Sequence, residues 1–130
     1  IGNVGGEPYW SWYGFGSRVE WCACFVDWAM NVSGHGDQYA KSSNNAYTPT
    51  LVAWFRENKR WGSRDYNNIT AGDTIFFDWQ GDGTVDHIGI VIGRDDTYVY
   101  TVEGNSGDAV KIKQYNLGNV AIYGYGLMNY

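Results

Sequence analysis

The chain has 130 residues, enough for one domain with a real core and too few for two ordinary ones. Its 7 Trp, 11 Tyr and 5 Phe stand beside 18 Gly and only 2 Pro, with no repeat, which argues against coiled coil, helical bundle, collagen or disordered tail. The net charge is −5, the pI is about 4.7 and the longest basic run is Lys59-Arg60, so the composition speaks against nucleic-acid binding and lends nothing to contact with anionic membranes or walls.

No apolar stretch approaches the roughly 18 residues needed to span a bilayer, so no membrane contact by this domain is expected. The chain opens on Ile1 without an initiator Met or signal-type segment, and is read as one catalytic domain over 1–130, excised from a longer protein and monomeric. Residues Ile1 to Ser17 combine turn formers with aromatics but show neither helical nor strand periodicity, and are expected to form an ordered loop. From Arg18 to about Val32, apolar residues recur every three or four positions (Val19, Cys22, Ala23, Val26, Ala29, Met30), predicting a core helix that Ser33-Gly34 ends. A polar segment, Gly36 to Tyr47, follows as loop or short turn. Thr48-Pro49 then starts a second helix as N-cap and first helical residue, its core face being Leu51, Val52, Trp54 and Phe55 and its exit Trp61-Gly62.

After Ala71-Gly72-Asp73 the pattern changes to strands: Thr74–Trp79, His87–Ile92, Tyr98–Glu103, Val110–Tyr115 and Ala121–Leu127. The joints at Asp82-Gly83, Arg94 to Asp96, Asn105 to Asp108 and Asn116 to Asn119 are spaced for antiparallel hairpins. Helices first and strands afterwards mean an α+β fold, N-terminal helices on a C-terminal antiparallel sheet of five to six strands.

Cys22 and Cys24 lie two apart. On a helix their side chains project about 200° apart, which disfavours a disulfide between them, and C-x-C with only His35 and His87 matches closed zinc sites poorly. In the first turn of a helix, Cys22 would instead find backbone N–H groups and a dipole that favour a thiolate and an oxyanion. His87, opening the apolar strand His-Ile-Gly-Ile-Val-Ile, is its natural base. Antiparallel pairing across the Arg94–Asp96 turn carries Glu103, with Asn105 beyond it, back toward the histidine. Each residue alone is equally well a core or surface group; their joint arrangement is what points to catalysis.

Taken in order, Glu20-Trp-Cys-Ala-Cys-Phe-Val-Asp-Trp28, Ala71-Gly-Asp-Thr-Ile-Phe-Phe77, Asp86-His-Ile-Gly-Ile-Val91 and Val102-Glu-Gly-Asn105 resemble a CHAP domain. This is a cysteine- and histidine-dependent amidohydrolase/peptidase family related to NlpC-like and papain-like enzymes. The resemblance implies a papain-like/NlpC-like fold and peptidoglycan as substrate and partner. It also implies Cys22 as nucleophile, His87 as general base, Glu103 to orient the imidazole and Asn105 to accompany or replace that carboxylate. Cys24 falls on a variable core position. Where the papain-like pattern has an upstream Gln as oxyanion donor, this chain has Gly16, leaving the Cys22 backbone N–H or the Tyr13 hydroxyl for that task. The family includes stem- or cross-bridge endopeptidases, slightly preferred here, and N-acetylmuramoyl-L-alanine amidases. A non-catalytic wall-binding module is the reading of another class. An extracellular or cell-wall-associated bacterial location follows from the substrate.

An aromatic cleft is expected from Tyr9, Trp10, Trp12, Trp61 and Trp79, with Trp12, Tyr13 and Trp79 the substrate-binding candidates, while Trp21 and Trp28 read as core fillers. Asp78-Trp-Gln-Gly-Asp82-Gly83, with Asp86 at the ninth position, has the start of a calcium loop but Gly89 where the bidentate Glu would stand. It reads as a hairpin turn in preference to a calcium site, and no cofactor is expected.

Overall fold

The computed structural model describes residues 4–16, 21–36, 39–40, 44–64, 66, 68–105 and 109–128. Three helices precede the main strands: α1 (Glu7–Tyr13), α2 (Cys22–Val32) and α3 (Thr48–Glu57). Six strands follow: β1 (Trp61–Gly62), β2 (Thr74–Phe77), β3 (His87–Arg94), β4 (Tyr98–Glu103), β5 (Lys111–Asn116) and β6 (Ile122–Gly126). They form one antiparallel sheet in the order β1-β6-β2-β3-β4-β5, an α+β arrangement as the sequence predicts.

The expected opening loop is corrected to a helix. Gly6 takes the left-handed conformation at the N-cap, Pro8 sits in the first turn where its missing N–H costs nothing, and Gly14, also left-handed, stops α1. Seven residues are too few for apolar periodicity to show; α1 is held by Tyr9, which stacks on Trp21 at 5.5 Å and meets Phe25 and Trp28 edge-on. Of the predicted second segment, Arg18 to Glu20 lie outside the described residues, and α2 begins at Cys22 itself, ending at Ser33. In α3 Pro49 stands in the first turn as expected, but the N-cap is Tyr47, and the Thr48 hydroxyl donates to the Val85 carbonyl instead of capping.

Two strand assignments also change. Trp61-Gly62 is not merely an exit from α3 but a two-residue strand paired with Tyr125 and Gly126. The Asn116–Asn119 joint does not make a hairpin: β6 leaves β5 and inserts between β1 and β2. Burial explains the choice. β5, Lys-Ile-Lys-Gln-Tyr-Asn, is exposed at all but Tyr115 and serves as a lysine-guarded edge, whereas β6 is buried at four of its five positions and needs neighbours on both sides.

Strand alternation splits the apolar residues between the two faces of the sheet. Phe76, Ile88 and Val110 join the helices' Trp21, Phe25, Val26, Leu51 and Phe55 in one core. Ile75, Phe77, Val91, Val99, Tyr115, Ile122 and Tyr125 form the other. β3 begins and β4 ends at the same edge of this layer, and the N-terminus of α2 meets them there.

Candidate active site

The first residue of α2 is Cys22, 6% exposed, so the leading N–H groups of this helix open beside its sulfur. Its place is fixed by the preceding residue. Trp21 is fully buried against Tyr9, and it is wedged so closely that a Cβ on Gly6 would lie 2.1 Å from its ring. On the sheet side Gly104 does the same service: a Cβ there would come within 2.5 Å of Phe25 Cβ and 2.9 Å of the Trp21 ring. Helix α2 can settle onto the end of β4 only because residue 104 has no side chain.

His87 opens β3 opposite Phe77, and its Nε2 lies 2.8 Å from Glu103 Oε1. That leaves Nδ1 free of Glu103 and available to Cys22, whose influence raises the ring's pKa. Burial opposes a charged imidazole, but Cys22, the bond to Glu103 and the charges of both outweigh it and raise the His87 pKa from 6.5 to about 9.

Glu103 is 1% exposed, and burial alone would protonate it. Three donors prevent this. His87 bonds Oε1, while the hydroxyls of Thr101, at 2.5 Å, and Tyr115, at 2.7 Å, both donate to Oε2. The net effect holds the carboxyl below its ordinary range, led by the His87 bond. The Tyr115 phenol is pushed far up, by burial first and then by the carboxylate it serves.

The strand register explains how these groups meet. Ile90 pairs with Val102 and Val91 with Thr101, so Glu103 stands over Gly89, two residues from His87 on the same face. A Cβ on Gly89 would lie 2.7 Å from Glu103 Cγ. The glutamate therefore reaches the imidazole across the space an ordinary side chain would fill. Thr101, Tyr115 and Gly89 are not among the site residues expected from sequence. Thr101, two before Glu103 on one strand face, carries a readable signal, whereas Tyr115 needs the β4–β5 register.

Other expected site residues fall around this center. Asn105 follows Glu103 by two residues with φ of 57°, in the left-handed region that asparagine tolerates, while the imidazole Nε2 is held by Glu103. Trp79, 49% exposed, stacks on Phe77 at 4.9 Å and leans on Tyr115, placing it beside the histidine's neighbors. Tyr13 directs its hydroxyl to Asn44 Oδ1 at 3.4 Å, and it stacks on Phe15. Trp12, 45% exposed, meets Tyr13 edge-on. The broad aromatic cleft is corrected in part: Tyr9 is core, and Trp61 packs on Phe76 and Tyr123. Cys24 is fully buried, and burial lifts its thiol to about 11, with Cys22 and Asp27 adding to the rise.

The carboxylates of the Asp78 loop are turned onto backbone. Asp78 accepts N–H bonds from Gly81, Asp82 and Gly83, Asp82 accepts one from Thr84, and Asp86 accepts that of Trp79. Among the described residues no three His, Cys, Asp or Glu side chains converge on a common metal position.

A hollow of about 280 Å³ opens at Cys22, between Ala46–Pro49 and Thr84–Asp86. A larger apolar one of about 550 Å³ lies at the far end of α2, by Ala29, Met30 and Ile90, and includes none of the three polar partners.

The curated proteins include no match to the chain. The family model of the CHAP domain matches residues 12–105, well over half of the chain and spanning Cys22, His87 and Glu103. With that match joined to the motifs and the α+β architecture, the chain belongs to the CHAP domain family, hydrolases of the amidase and peptidase type that act on peptidoglycan.

Proposed function

We propose that this domain cleaves an amide bond in cell-wall peptides through a Cys22-His87-Glu103 thiol mechanism. The placing of Cys22 beside His87, whose ring is held at 2.8 Å by a buried, ionized Glu103, is the observation that carries the reading. His87 takes the Cys22 thiol proton. The sulfur attacks the amide carbonyl, and the new oxyanion turns to the Cys22 backbone N–H at the start of α2. His87 gives its proton to the leaving amine, and the C–N bond breaks to leave a thioester. Neutral His87 then takes a proton from water as the water attacks. Collapse releases the carboxylic acid, the thiolate and the imidazolium.

Glu103 keeps the ring oriented and stabilizes its charge, with Asn105 accompanying it at the end of β4. Trp79 and the Trp12-Tyr13 pair are assigned to gripping substrate by stacking. These steps use only groups of this chain. Endopeptidase action on stem peptides is preferred over N-acetylmuramoyl-L-alanine amidase action because exposed rings beside a narrow hollow suit a peptide. The domain acts as a monomer on an extracellular or wall-associated substrate.

The test is to digest purified peptidoglycan and determine fragment masses and new amino groups. New amino termini within the stem or cross-bridge support the endopeptidase, and lactyl-alanine cleavage supports the amidase. Binding to walls without any released fragment refutes both in favor of a binding module.

A further inference from the structure

The hollow at Cys22 does not end at its own walls. Pro49, Thr84 and Val85 also line a second hollow of about 240 Å³, completed by Val52, Ala53, Gly83, Arg56 and Tyr123. The two share a rim and make one groove that runs from the nucleophile to Arg56.

Arg56 differs from the chain's neighboring arginines. Arg60 and Arg64 donate to backbone carbonyls of residues 127, 122 and 120. The Arg56 guanidinium instead lies 5.0 Å from the Trp61 ring center and 5.4 Å from that of Tyr123, with one amino nitrogen 3.4 Å from the Tyr123 hydroxyl. No carboxylate pairs with it among the described residues. Ring contacts fix the plane of the group, but its N–H bonds lie in that plane and remain free to bond. A planar, oriented, charged fork at the end of an active-site groove matches a carboxylate, which it can hold by two parallel hydrogen bonds.

We propose that Arg56, supported by Trp61 and Tyr123, is a specificity residue that binds a free carboxylate of the substrate peptide while the scissile amide lies at Cys22. The proposal rests on the thiol-hydrolase reading for what occupies the groove. It names the substrate class as a peptide acid, discriminated from its carboxamide.

The test uses two synthetic stem tetrapeptides, one with free carboxyls and one with every carboxyl converted to carboxamide. Binding to Cys22→Ala by calorimetry reads the subsite without turnover, and kcat/KM of the wild type reads it with turnover. The acid should bind at least about tenfold tighter than the amide, the scale of one charge-assisted pair. Adding Arg56→Gln to Cys22→Ala should bring the acid down to the amide's affinity and leave the amide unchanged. Arg56→Lys, which keeps charge but not the fork, should recover only part of the difference. Equal binding of the two peptides, or no measurable binding of either, overturns the proposal. A retained binding preference with neither peptide cleaved by the wild type would support the subsite and count against the hydrolase reading, so the two failures are distinct.

Discussion

Replacing Gly89 by alanine puts one methyl group into the path of the Glu103 side chain. Elsewhere in a strand this exchange gains a few tenths to about 1 kcal/mol, because glycine loses more backbone freedom on folding. At Gly89 the new Cβ would lie 2.7 Å from Glu103 Cγ and 3.5 Å from its Cδ, and a fully buried side chain has little room to yield. Overpacking of this kind costs about 1–3 kcal/mol, so the steric cost outweighs the backbone gain. The larger effect is on geometry. Glu103 must leave the line to His87, and a displacement of about 1 Å in a catalytic array lowers turnover by roughly 10²-fold. The His87 pKa, followed by NMR of its ring protons, should fall from about 9 toward 6.5 as the carboxylate retreats. Gly93 in the same strand provides the control, since nothing lies within 4 Å of its Cβ position, and Gly93→Ala should keep activity and stability. Full hydrolytic activity in Gly89→Ala with an unmoved His87 titration would refute the reasoning.

Further expectations concern the same array. Because His87 is raised from 6.5 to about 9 in the fold, its contribution to stability is full below pH 6.5 and is lost as pH rises through about 9; the shift corresponds to about 3 kcal/mol. Thermal melts from pH 6.5 to 10 should therefore fall more steeply for the wild type than for His87→Phe, and parallel curves would contradict the assignment. Tyr115→Phe or Thr101→Val removes one donor from the buried Glu103 and should cost about 1.5–3 kcal/mol with a several-fold loss of turnover; an unchanged melting temperature would deny them this role. Since the Asp78, Asp82 and Asp86 carboxylates are bound to backbone N–H groups, a chelator should change neither melting temperature nor wall lysis, and a loss of either would reopen the loop as a metal site.

Much of this arrangement is legible in the amino-acid sequence, for reasons that differ from residue to residue. The α2 periodicity places Cys22 toward the N-terminal end of a helix, whose start at Cys22 itself the structure supplies, and the short turn between β3 and β4 obliges His87 and Glu103 to end on the same edge. Such features depend on local pattern and one hairpin. The position of β6 is not legible in the same way, because a turn signal marks a reversal without naming the partner strand, although the lysines of β5 already suit an edge. Helix α1 escapes because its stability comes from Tyr9 packing on Trp21, twelve residues away, and not from its own sequence. Gly89 and Gly104 can be assigned to neighborhoods, but that one makes way for Glu103 and the other for Phe25 and Trp21 emerges only when the layers are packed.

The most direct measurement compares wild type with Cys22→Ala on purified peptidoglycan, following turbidity and the mass spectra of released fragments, with circular dichroism to verify the fold. The account predicts that the folded variant releases no fragments while the wild type does. Undiminished lysis by Cys22→Ala would contradict it and remove this thiol from the chemistry.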